Sequence, residues 1–346
     1  MRAAVPRHPA TDPARHLGAA QATGRAERRF IADAASGILR AFMPATRFIV
    51  GALCVVGTVT IWAGWYVVIR LGLTRSSLDV LDLTALRFGV AGLLLAPVLW
   101  RRGLALDRLG WTGFISIALG GGAPFALLVG AGLVFAPVSH ASTLTQGAVP
   151  LAVGLLAALM LKEPLTAPKM IGFGMIVAGA IVIAGIGVAE LAGRESIGHA
   201  LFIAAAVLWA AYTIALRKAQ LEGLHAPAIA AVASLVLFLP LYLLFRGERL
   251  LSAPIGEVMV QAFYQGVLTA ILSLLLYSRG VALLGASLAG TFVALGPIIA
   301  TVLAIVVLGE QPKLHDWTGI LVMTLGVYLA SGGPFAIWAS RPARRP

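Results

Sequence analysis

Cysteine and mid-span charge are what this chain has least of. Its 346 residues include one cysteine, Cys54, which excludes an intramolecular disulfide and a thiolate metal site. Cys54 lies in an apolar run and reads as a small hydrophobic filler. Charged residues make up 12% of the chain, against roughly 25% in a soluble domain. All fourteen acidic residues fall in the N-terminal segment, in connections or at the ends of apolar runs. A carrier that works through a buried glutamate is therefore disfavoured, since burial is what raises such a pKa. No glycine-rich phosphate loop leading to Lys-Ser/Thr is present, so ATP does not drive whatever the chain does. Mid-span lysines and arginines are also missing, apart from Arg87, which argues against a phosphorylated sugar as ligand.

What is abundant is apolar sequence: 60% of residues are hydrophobic and mean hydropathy is +0.94. Runs near the roughly 20 residues that a bilayer span needs fill the chain from Phe48 to Trp338. The pattern predicts an all-α integral membrane protein with ten transmembrane helices, at 48–69, 80–100, 110–135, 138–161, 167–189, 198–217, 227–246, 258–282, 285–308 and 316–338. Residues 1–47 read as a basic, mostly disordered tail with a weak interfacial-helix pattern over 28–42, and 339–346 as a second basic tail. Met43 is a possible alternative start. The net charge of +12 is topological and not a nucleic-acid signal. With both termini cytoplasmic, inner segments hold 19 Lys/Arg against 6 outside, as the positive-inside rule asks. The partners expected are a bilayer and a small molecule, with no nucleic acid and no cofactor; oligomeric state is left open, a monomer being possible.

A repeat organises the chain. Pro150 and Pro297, Glu163 and Glu310, Trp62 and Trp209, Arg70 and Arg217, Gly172 and Gly319, and Gly179 and Gly326 all match at a separation of 147 residues. The chain is two copies of one unit, 48–189 and 190–338. Five spans per copy make the second enter the membrane from the opposite side. Such inverted repeats are a common build of secondary transporters, with the site near the midplane between the halves.

The stretches IWAGWYVVIR, ALRFGVAGLLLAP, VPLAVGLLAALMLKEPLT, LWAAYTIALRK and GPIIATVLAIVVLGEQP resemble EamA-type members of the drug/metabolite transporter superfamily. The likeness covers about 54–185 and 198–332, and the proline-then-glutamate pair is its most specific part. It implies ten helices in a basket, alternating access, and export or exchange of small metabolites such as amino acids. It also suggests that Arg87-Phe88 is a family feature and that Glu163 and Glu310 lock loop geometry.

Several residues are candidates for a substrate pathway. Pro150 and Pro297, read as interior to their helices, free the carbonyls of Gln146 and Val293, and in lipid such groups must find protein, water or substrate. Mere packing kinks are an equal alternative. Ser139, Ser142, Thr143 and Gln146 share a face of span four, with Ser287 and Thr291 a weaker echo in span nine. The hydroxyls are expected to bond their own helix; Gln146 is expected to face the interior. Trp62, Trp65 and Tyr66 match Trp209, Tyr212 and Thr213 in position; Trp209 and Tyr212 are read as cavity lining, Trp65 as an interfacial anchor. Gln261, Tyr264, Gln265, Thr269, Ser273 and Tyr277 make a polar spiral on span eight, either a pathway wall or a hydrogen-bonded seam. Gly120, Gly121, Gly122 and Pro124 mark a weak point in span three, read equally as a bend or gate and as a place of close packing against another helix. Arg87 either holds a substrate carboxylate or pairs with Asp79 or Asp82. His140 is read as the single span histidine, at headgroup level in preference to a proton site. Lys313, His315 and Asp316 are the nearest approach to an enzyme-like cluster.

The expectation is a non-enzymatic secondary transporter in the cytoplasmic membrane, exporting or exchanging amino-acid-like zwitterions. The alternatives are a membrane-embedded lipid-acting enzyme and a non-transporting scaffold or sensor.

Overall fold

A computed structural model describes residues 46–185, 193–221 and 223–331; the tails, a possible interfacial helix at 28–42 and the far ends of spans five and ten lie outside them. The compact unit begins at Gly51, and the described residues before it are the opening of the first helix. The described residues are helical, with no strand among them. We number the helices α1 (Thr46–Arg75), α2 (Val80–Arg102), α3 (Leu106–Gly120), α4 (Ala123–Phe135), α5 (Val138–Leu161), α6 (Ala167–Ala184) and α7 (Arg194–Ala219). Then follow α8 (His225–Leu237), α9 (Leu239–Ser252), α10 (Ile255–Leu284), α11 (Ala286–Val293), α12 (Gly296–Leu308) and α13 (Leu314–Ala330). Eight described segments are long and apolar enough to cross a bilayer, nine if the bent pair α8–α9 counts as one span; α13 is a shorter apolar helix. Large apolar side chains such as Leu93, Leu159, Val306 and Leu321 point outward, as lipid solvation allows.

Three expected spans are not continuous. Span three breaks between α3 and α4 at Gly121–Gly122, where Gly122 is extended (φ −101°, ψ −158°). The backbone N–H of Ala123 donates instead to Ser234 Oγ at 2.8 Å, so α8 supplies the acceptor that the break removes. Span seven bends by 60° between α8 and α9. Pro240, in the first turn of α9, cannot continue the α8 hydrogen-bond ladder. The bend lets α9 cover the start of α2, where Tyr242 donates to Asp82 at 2.7 Å and Arg246 to Asp79 at 2.6 Å. Asp79 and Asp82 also form the capping box that starts α2. Span nine turns at Ala294–Leu295 before α12. This corrects the reading of Pro297 as a helix-interior residue: it stands in the first turn of α12, where a missing N–H costs nothing.

Span eight carries the opposite irregularity. α10 stays continuous but widens to π geometry over Ala262–Leu272. This is the repeat position of the α3–α4 break, so the third helix of each half departs from α geometry at corresponding places.

The tightest helix pair is α6 against α13. A Cβ on Gly172 would lie 2.7 Å from the carbonyl of Gly326, and one on Gly179 would lie 2.8 Å from that of Gly319. Four glycines thus let two backbones touch, an arrangement that membrane helices use because small residues permit close approach. The contacts pair early with late positions, so α6 and α13 run antiparallel.

Candidate functional site

Where α1, α2 and α5 meet, polar groups collect without partners. The Arg87 guanidinium lies 4.7 Å over the Trp65 ring and 5.5 Å from Phe88. Its Nε and Nη1 atoms are buried and make no hydrogen bond. The carboxylates proposed as its partners are taken: Asp79 by Arg246, and Asp82 by Tyr242 and, at 3.6 Å, by Arg249. The pairing of Arg87 with Asp79 or Asp82 is therefore incorrect. Tyr66 is buried, with its hydroxyl beside the Gln146 and Thr145 side chains and within electrostatic reach of Arg87. Thr145 Oγ1 and Gln146 Nε2 are also buried without a partner. Gln146 faces the interior and leans on Gly296, where a Cβ would come within 2.1 Å of its Oε1. Thus Gly296, which the sequence reading passed over, is what makes room for Gln146. Orphaned buried polar atoms are uncommon in native proteins; besides these, Ser139 Oγ and Thr324 Oγ1 are buried without a partner.

Two of the neighbouring hydroxyls behave otherwise, whereas Ser139 Oγ is buried without a partner, contrary to the expectation that it would bond its own helix. Ser142 and Thr143 both donate to the carbonyl of Ser139, at 3.3 and 2.6 Å, the self-bonding expected of such residues. Pro150 lies within a continuous α5 and is half-buried, Pro297 is buried, and Thr291 is half-buried on α11.

Aromatic rings link the two halves. Trp65 stacks on Phe125 at 5.9 Å, Phe125 meets Trp209 at 5.0 Å, and Trp209 meets Tyr212 at 5.1 Å. Trp65 is 4% exposed, so its reading as an interfacial anchor is wrong; it forms part of the floor under Arg87. Trp62 donates to Ser273 Oγ at 2.9 Å and lies 5.4 Å from the Tyr277 ring.

The polar spiral of α10 closes largely on α1. Trp65 Nε1 donates to Gln265 Oε1 (3.1 Å), Gln265 to Gln261 Oε1 (3.0 Å), and Gln261 to the Val68 carbonyl (2.8 Å). Tyr264 donates to the Ile61 carbonyl, while Thr269 donates to the carbonyl of Tyr264. Of the two readings, these bonds describe a seam. Beside Gln265 a void of about 10 Å³, lined also by Ile69, Thr84 and Gly130, has room for about one water.

Two ion pairs mark opposite ends of α5. Arg217 pairs with Glu163 just after the helix, while Glu310 pairs with Arg70 at 3.7 Å and accepts from the N–H of Val138 at 3.0 Å at its start. Burial pushes the Glu310 carboxyl above its usual range, against the pull of the Val138 N–H and Arg70. Near this second end the histidine reading fails. His140 is buried, and His199, in the early turns of α7, is a second span histidine. His140 Nδ1 lies 3.0 Å from His199 Nε2, and its Nε2 lies 3.0 Å from Asp316 Oδ1. Only the packing of α5, α7 and α13 joins residues so far apart in sequence.

The model of the EamA-like transporter family matches residues 49–185 and 196–332. The chain is 30% identical over 279 residues to the probable terminal-alkyne amino-acid exporter of Streptantibioticus cattleyicolor, spanning 79% of this chain and 90% of that one. It is 28% identical over 260 residues to the uncharacterized transporter YyaM of Bacillus subtilis, covering 72% and 83% of the two. A protein of known crystal structure shares the fold with a TM-score of 0.56 at 19% identity, over 86% of this chain and 99% of that one.

Proposed function

The chain belongs to the EamA-like transporter family, and on that premise we propose that it is a secondary transporter that exports or exchanges amino-acid-like zwitterions by alternating access. The observation that carries the substrate class is the unpaired Arg87 guanidinium. An intramembrane charge is a functional hypothesis by default, and a planar guanidinium with free N–H groups matches the bidentate geometry of a carboxylate. Tyr66, Thr145 and Gln146 stand where they can bind the rest of the ligand, and the row Trp65–Phe125–Trp209–Tyr212 offers an apolar wall. The relative named as an amino-acid exporter points the same way.

Inverted halves are part of the proposal. In a two-fold arrangement, residue i meets the copy of j while j meets the copy of i. Gly172 meets Gly326 and Gly179 meets Gly319; likewise Arg70 meets Glu310 while Arg217 meets Glu163. Both sets cross over in the manner of a two-fold axis lying across antiparallel helices. The Lys/Arg balance then puts the termini in the cytoplasm, Arg70–Glu310 outside and Arg217–Glu163 inside.

Counterflow into proteoliposomes tests the substrate class. A panel of labelled amino acids and their decarboxylated amines is offered to the purified protein. At least one amino acid is expected to accumulate while its amine is not, and Arg87→Lys should lower that rate by about tenfold or more, because lysine cannot bind bidentately or stack. Equal transport of acid and amine, or an unchanged rate in Arg87→Lys, overturns the proposal. The lipid-acting enzyme and the scaffold both predict no flux.

A further inference from the structure

We propose that His140, His199 and Glu195 form a binding site for a divalent transition-metal ion of the Zn²⁺ class, with Asp316 orienting His140. The ligand atoms of the three residues all lie within 4.8 Å of one another. His140 Nδ1 is 3.0 Å from His199 Nε2 and 3.8 Å from Glu195 Oε2. Tetrahedral ligands at zinc distances lie about 3.3 Å apart, so these spacings bracket what a metal would draw together.

The surrounding groups favour a cation. Asp316 Oδ1, 3.0 Å from His140 Nε2, accepts a hydrogen bond from the Nε2–H and leaves the Nδ1 lone pair directed at His199 and Glu195. A carboxylate behind a histidine is the usual outer support of a metal ligand, fixing its tautomer and raising its basicity. His140 and His199 are 4% and 8% exposed, Asp316 is 5% exposed, and Glu195 reaches the surface. That gives a dry floor with one open side, by which an ion can enter and keep a water as fourth ligand. The carboxylates of Glu195 and Asp316 balance two positive charges. Arg194, the neighbouring cation, is turned onto the Phe135 ring at 5.7 Å. Two imidazoles and one carboxylate suit zinc, cobalt or nickel, whereas Mg²⁺ and Ca²⁺ prefer oxygen ligands alone. The site joins α5 to α7, and so the first sequence repeat to the second. Its existence does not depend on what the protein transports.

The test uses the full-length chain, purified without a histidine tag in nanodiscs. Co²⁺ is titrated while tetrahedral visible absorption is recorded, then displaced by Zn²⁺, with thermal unfolding followed alongside. One ion per chain and a rise in Tm with Zn²⁺ but not Mg²⁺ are expected. His140→Ala and His199→Ala should each weaken binding at least tenfold, and Asp316→Asn about 10- to 100-fold. His315→Ala, which removes an exposed ring 3.1 Å from Asp316, should leave it unchanged. Glu195→Ala, at an exposed position, keeps the test decisive if a histidine variant fails to fold. The proposal is overturned if no Co²⁺ absorption develops, or if the affinity is the same without His140, His199 or Glu195.

Discussion

At the scale of single residues, the interior separates polar groups that are satisfied from those that are not. Gln265 is 1% exposed and its amide is held at both ends, by Trp65 and Gln261. Trp65→Phe removes the donor to a buried carbonyl, so it should cost about 1–3 kcal/mol of stability, read as a lower Tm in detergent. Gln146 is the contrary case, with a buried amide nitrogen lacking a partner. Gln146→Leu should leave expression and Tm nearly unchanged yet abolish counterflow. Gly296→Ala should do likewise, since its methyl would occupy the space of Gln146 Oε1; normal flux in both variants would remove Gln146 from the site. That Gln146 would face inward was legible from the cost of an amide in lipid. Gly296 was not, because a glycine's use as a recess depends on which side chain lies opposite.

At the scale of helices, the glycine contacts between α6 and α13 have a measurable consequence. Gly179→Val and Gly319→Val each place side-chain atoms against the opposing backbone, and overpacking of this kind costs about 1–3 kcal/mol. The two should destabilise to a similar degree, and the double variant by less than their sum, because either one already separates the helices. Full additivity in thermal unfolding would contradict a shared contact. The repeat in the sequence gave these glycines their importance, though not their partners. The breaks were legible in part. Three adjacent glycines announced the α3–α4 break, and Pro240 carried a signal for the 60° bend that the apolar run concealed. The π-widening of α10 has no compositional mark, since Gln261, Gln265 and Thr269 fit an ordinary helix equally well.

At the scale of the whole molecule, the crossed ion pairs set the expectation. Single cysteines replacing Arg70 and Arg217 should react with an impermeant thiol reagent from opposite sides of sealed vesicles, in a Cys54→Ser background. Labelling of both from one side would end the inverted arrangement and, with it, the assignment of an outer and an inner ion pair. Charge reversal at Arg217 should be rescued only in part by reversal at Glu163, because Glu163 pairs with Arg217 and also lies 4.0 Å from Lys169.

Amino-acid order alone determined the membrane class, the duplicated plan and the family likeness, since hydropathy, a fixed repeat distance and motif spacing are properties of a linear string. Which polar groups end up paired was decided by tertiary packing. Arg87 lost its expected carboxylates to α9, and His140 acquired His199 and Asp316 from helices 59 and 176 residues away. A pairing of that kind depends on three-dimensional distance, which a bent helix or a glycine contact can change without altering any local pattern.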